Sequence, residues 1–166
     1  MAEATFDQNL RKYAELLVKV GTNITEGDIL YLTVSVTDDP HIRKLAHYAV
    51  EAAYKAGAKY VDLNWNDEVA GKLRVLHASD DSLEFIPQWL LKSIETYADI
   101  GVSRLVIFGR NPELFAGLDR QKVTNMQQAW QRATAHLFPK LINENIWSLA
   151  AVPVQEWADK VFPDLP

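Results

Sequence analysis

The sequence predicts an open, mainly parallel α/β sheet with helices on both faces, on three observations. Residues 28–64 read as one strand, a crossover helix and a second strand. Two further short apolar runs, Arg104–Phe108 and Ile146–Ala151, are separated by stretches of helical periodicity. The chain has 166 residues, 48% apolar and 23% charged, which is the size and balance of one globular domain able to bury about 70% of its unfolded surface.

The elements follow in order. Thr5 and Gln8 stand at capping-box spacing, and Phe6, Leu10, Tyr13, Leu17 and Val20 form an apolar stripe closed by Gly21, so an amphipathic helix opens the chain. Ile29–Val36 is β-branched, aromatic and almost free of charge, the composition of a strand buried on both faces. In Thr37-Asp38-Asp39-Pro40 a carboxylate can accept free helix N–H groups while Pro40 takes the first helical position. Ile42, Leu45, Ala46, Ala49, Val50 and Ala53 share one helical face, and Gly57 supplies the left-handed residue that ends the helix. Tyr60–Asn64 is the second strand, and a helical connection of this length makes the pair parallel with a right-handed crossover.

Residues 66–78 and 84–100 both read as helices, the second with Leu90, Leu91, Ile94, Tyr97 and Ala98 inward, Pro87 in its first turn and Gly101 as terminator. After the third strand comes the breaker-rich turn Gly109-Arg110-Asn111-Pro112. Met126, Trp130, Ala133 and Leu137 repeat at helical spacing until Pro139, and Val154, Trp157 and Val161 mark a last short helix after the fourth strand. The five tryptophans at these spacings read as core or interface residues. Residues 1–166 form a single domain on this reading, and residues 162–166, bounded by prolines, have the character of an interdomain linker. Such an alternation suits a flavodoxin-like, three-layer arrangement with strand order 2-1-3-4.

The chain contains no cysteine, which removes disulfides, thiolate metal sites and a cysteine nucleophile, and favours a reducing cytoplasm. Residues 1–5 carry neither a basic nor an apolar leader region, and no apolar run approaches membrane-spanning length. A net charge of -5 with scattered lysines and arginines disfavours nucleic acid and anionic membranes as partners.

In a sheet of this order the ligand crevice lies beyond the carboxyl ends of strands one and three. Ser35, Thr37, Asp38, Asp39, Gly109, Arg110 and Asn111 would line it, and a guanidinium beside free amides could hold an anion. An ordinary strand-to-loop turn is the preferred reading of residues 109–111, because neither a GxGxxG nor a GxxxxGK[ST] pattern occurs. Asp38, Asp39 and His41 could be imagined as metal ligands, yet capping accounts for both aspartates, and His47, His77 and His136 show no zinc-binding spacing with His41. Asp62, Asp67 and Glu68 read as strand exit and helix cap. No GxSxG elbow is present.

Several segments together resemble the N-terminal domain of the thermophilic-type metallo-aminopeptidases, the aminopeptidase T and aminopeptidase S family. They are Asn9-Leu10 with residues 12–18 in the opening helix, Ala56-Gly57-Ala58 before the second strand, residues 111–119 (NPELFAGLD) after the third, and Trp157-Ala158 with Val161-Phe162-Pro163 near the end. The resemblance spans essentially the whole chain. It implies a cytoplasmic, homodimeric parent enzyme that removes N-terminal residues from peptides with a pair of divalent metal ions of the zinc, cobalt or manganese class. It also implies that the ligands and catalytic residues belong to a following C-terminal domain. No position of this chain matches those motifs, so no catalytic or metal-binding residue is assigned. Three functional expectations result: the non-catalytic half of an aminopeptidase, serving interdomain packing, cleft shaping or dimerisation; a self-contained flavodoxin-like module that binds a small anion at the crevice; or a pure oligomerisation domain.

Overall fold

Four parallel strands pair in the order β2-β1-β3-β4 in the computed structural model, which describes residues 2–36, 39–109 and 111–163. They are β1 (Ile29–Ser35), β2 (Tyr60–Asn66), β3 (Ser103–Phe108) and β4 (Trp147–Ala151). Thr37, Asp38 and Arg110 of the expected crevice, and residues 164–166 of the expected linker, lie outside the described residues. The expected strand order and parallel pairing are therefore present, and β2 runs two residues further than expected because Trp65 and Asn66 pair with Val34 and Ser35.

The helices are α1 (Ala2–Leu16), α2 (Pro40–Lys55), α3 (Glu68–His77), α4 (Asp80–Glu84), α5 (Gln88–Asp99), α6 (Arg120–Thr134) and α7 (Gln155–Val161). Their ends follow elementary capping chemistry. Asp39 accepts the His41 N–H at 2.8 Å with Pro40 at the first helical position, Asp67 accepts from Val69 and Ala70, and Asp119 accepts from Gln121 and Lys122. Gly57 ends the α2 turn at φ 102, a left-handed conformation that a side chain resists.

Several expectations are corrected. α1 starts at Ala2, so Thr5 lies inside the helix and does not cap it. The helix ends in a π-turn, Leu17–Gly21, closed by Thr22, whose hydroxyl donates to the Val18 carbonyl at 3.0 Å. Gly21 serves close approach, since a Cβ there would stand 2.8 Å from Ser148 Oγ of β4. The expected helix over 84–100 starts later: Glu84 is the last residue of α4, which Ser79 caps, the chain extends through Phe85 and Pro87, and α5 runs from Gln88 to Asp99, so Pro87 precedes the first turn and does not lie in it. Proline disfavours helical geometry at the preceding Ile86, which places the break before Pro87. Pro139 does not stop the chain's helical course, because a 3₁₀ turn (Ala135–Leu137) and a π-turn (Lys140–Glu144) flank it and the hydrogen-bond ladder changes register there. None of the five tryptophans is in the core: Trp65, Trp89, Trp130 and Trp147 are exposed, and Trp157 packs partly buried on its edge.

The sheet's two faces are unequal. Leu30, Leu32, Val34, Leu105 and Ile107 point to the face covered by α1 and α2 and are fully buried. One residue out of phase, Tyr31, Thr33, Arg104 and Val106 point to the face roofed by α5, α6 and the turns that follow α6, and there the burial is only partial. The strands thus alternate, and β1 is not buried equally on both sides. Among the described residues no helix is long and apolar enough to cross a membrane.

Candidate functional site

Two concavities flank the sheet. The first, of about 410 Å³, lies beyond the carboxyl end of β1 where α2 begins. Ser35 and Asp39 line it with Arg43, His47 and Trp65. His47 and Trp65 meet edge to face with ring centroids 6.3 Å apart, fixing one wall. Of the sequence-expected residues, the structure brings Ser35 and Asp39 together here. Gly109 does not line it: a Cβ on Gly109 would lie 2.7 Å from both Ile42 Cδ1 and Val154 Cγ1, so Ile42 and the segment between β4 and α7 fill the space beside it. Asn111 uses its side chain locally, accepting the Glu113 N–H at 2.8 Å.

His41 stands next to this region with its ring edge-on to Phe6 at 4.7 Å, and its Nδ1 is buried without a hydrogen-bond partner. His136 lies 3.5 Å from Glu95, and His77 is exposed on α3. Among the described residues no three His, Asp or Glu side chains converge closely enough to hold a metal ion. Among the described residues, then, no donor set suits a dinuclear metal centre.

The second concavity, about 690 Å³, lies between the open face of the sheet and α5, α6 and the turns after α6. Its floor follows from strand register. Asp62, Tyr31, Arg104 and Trp147 form one row across four strands, and Asn64, Thr33, Val106 and Leu149 form the next. Tyr97 descends from α5, stacks obliquely on Tyr31 at 4.8 Å and donates its hydroxyl hydrogen bond to Asp62. That bond, then burial, then the carboxylate's charge push the Tyr97 phenol up to about 12. Arg104 has no hydrogen-bonded or ion-paired side-chain partner among the described residues, and burial holds its guanidinium below its ordinary value. Residue reading did not single out this row. Its signal was a lone arginine in an apolar strand, in phase with Tyr31 once the order 2-1-3 is assumed.

The comparisons with known proteins agree on kinship. Residues 6–166 match the family described as thermophilic metalloprotease (M29). The chain is 34% identical to Aminopeptidase 2 of Geobacillus stearothermophilus over 161 residues, covering 96% of this chain and 38% of the relative. It is 30% identical to Aminopeptidase T of Thermus aquaticus, over 97% of this chain and 39% of that protein. The solved structure of wild-type AmpT from Thermus thermophilus superposes with a TM-score of 0.85 at 28% identity, covering 97% of this chain and 40% of that one. The chain thus spans about two fifths of the length of the relatives it matches. With its fold, its strand order and nearly all of its length matched, this chain belongs to the thermophilic metalloprotease (M29) family, as a counterpart of the N-terminal domain of its aminopeptidases.

Proposed function

We propose that this chain is the non-catalytic N-terminal domain of a metal-dependent aminopeptidase, a single α/β unit over residues 1–166 that packs against a C-terminal catalytic domain of the same polypeptide. The observation that carries this reading is the match of residues 6–166 to a metalloprotease family whose aminopeptidase relatives are more than twice as long. The surface supports it. Val69, Leu73 and Leu76 recur at i, i+4 and i+7 on α3 and are about half exposed, and Phe85 and Trp89 follow them with 64% and 72% exposure. Apolar side chains presented together in this way suit a domain or subunit interface. The parent enzyme is a cytoplasmic homodimer on this reading, using a pair of divalent ions to hydrolyse the N-terminal bond of peptides, with this domain shaping access to the cleft.

The test is hydrolysis of an aminoacyl chromogenic amide by the purified chain with zinc, cobalt or manganese added. The expected outcome is no turnover above buffer; turnover abolished by a chelator would place a metal site within these residues and overturn the reading. The second reading, a flavodoxin-like module for a small anion, draws support from Arg43 and His47 lining the same depression as Ser35. Phosphate titration followed by Trp65 fluorescence tests it, and an unchanged signal removes it.

A further inference from the structure

We infer that the cavity on the open face of the sheet is a binding site for a small organic monoanion, a carboxylate with an apolar body, held by Arg104. This inference does not rest on the aminopeptidase reading. It starts from an imbalance in the cavity floor. Arg104 is a permanently charged group partly withdrawn from water, and such groups are normally paired. Its register neighbours offer no anion: Tyr31 lies on one side and Trp147 on the other. Asp62 stands in the same row but beyond Tyr31, two strand spacings or about 10 Å away, and it already accepts the Tyr97 hydroxyl. The guanidinium thus keeps its hydrogen-bonding fork for something that enters the cavity.

The surroundings select the chemistry of that ligand. Ile94, Trp130 and Phe138 make the walls apolar, while Val106 adds apolar surface to the floor, where Thr33 and Asn64 can add single hydrogen bonds. One unpaired cation matches one negative charge. A dianionic phosphate would leave its second charge uncompensated, since Arg104 is the one charged side chain lining the cavity among the described residues. A carboxylate is planar and accepts both arms of the guanidinium fork, so it fits the donor as well as the charge. A volume of about 690 Å³ falls within the range of small-molecule sites, which combine apolar walls with a few placed polar groups.

The experiment is calorimetric titration of the purified chain with 3-phenylpropanoate, with 3-phenylpropanamide and inorganic phosphate as controls. The carboxylate should bind saturably, and about tenfold or more tightly than the isosteric amide, the factor expected of a charge-assisted hydrogen-bonded pair. Arg104→Gln should abolish that preference, and Arg43→Gln, in the other depression, should leave it unchanged. Tryptophan fluorescence of the unaltered chain should change with the same midpoint, and Trp130→Phe should remove most of that change, placing the ligand in this cavity. Equal binding of carboxylate and amide, tighter binding of phosphate, or no saturation up to about 20 mM would overturn the inference. If Arg104→Gln does not fold, the carboxylate–amide comparison on the unaltered chain decides it alone.

Discussion

Leu32 and Tyr31 are neighbours on one strand and face opposite worlds. Leu32, with Leu30, Val34, Leu105 and Ile107, is sealed beneath α1 and α2. Tyr31 looks into a cavity of about 690 Å³ under α5 and α6, beside Arg104, which has no side-chain partner among the described residues. The helices of the packed face contribute small residues, Ala46, Ala49 and Ala53, which let backbone and sheet approach closely. On the open face Tyr97 of α5, Trp130 of α6 and Phe138 after it line the cavity that remains above the sheet. Stability is therefore concentrated on one side of the sheet and vacant volume, with its capacity to bind, on the other.

Substitutions can break this comparison, and the largest effect belongs to the packed face. Leu32→Ala should cost about 2–5 kcal/mol in a denaturant melt, because a fully buried leucine leaves both lost transfer energy and a residual cavity. A cost under about 1 kcal/mol would mean that this layer relaxes and is not the rigid one.

An intermediate effect belongs to the Tyr97–Asp62 hydrogen bond. With its phenol pushed up to about 12, the folded chain keeps a proton that the unfolded chain releases near the ordinary value of about 10. The folded state then binds more protons than the unfolded one, so the contribution is fully present below pH of about 10 and is lost as pH rises through about 12. A phenolate absorbance titration should show one tyrosine ionising near pH 12, absent in Tyr97→Phe. A Tyr97→Phe chain that keeps the late transition would place the bond on another residue.

The smallest effect is expected at the outer edge of the open face. Leu149, 55% exposed on β4, should accept Thr with a change of within about 0.5 kcal/mol, since little burial is lost and a β-branched residue suits a strand. Destabilisation comparable to Leu32→Ala would show that the open face is packed after all.

Much of the fold was legible in the residues. The β1-α2-β2 unit could be read from Asp39, Pro40 and Gly57, because caps and left-handed turns are local chemistry. The order 2-1-3-4 followed from helical crossovers between parallel strands. The break before α5 was also local, in Ile86-Pro87, although the long apolar periodicity of residues 84–100 obscured it. The site was less legible. Ser35 and Asp39 share a concavity, whereas the packing of Gly109 against Ile42 and Val154 joins residues more than forty positions apart, and no local pattern encodes that contact. The tryptophans, expected in the core or at an interface, are not in the core, since spacing gives the side of a helix on which a ring sits but not what covers it.

By itself, then, the sequence determined what short-range sterics, capping and hydrophobic periodicity can determine, namely where most strands and helices run and that the strands are parallel, while the resemblance of specific segments pointed separately to the family. Only the tertiary structure decided that one sheet face would be sealed by α1 and α2 and the other would border a cavity, and that Arg104 would line it with no carboxylate partner among the described residues. The physical reason is that vacancy and charge pairing are properties of several elements brought together across strand register and layer spacing, and neither quantity exists until the chain has folded.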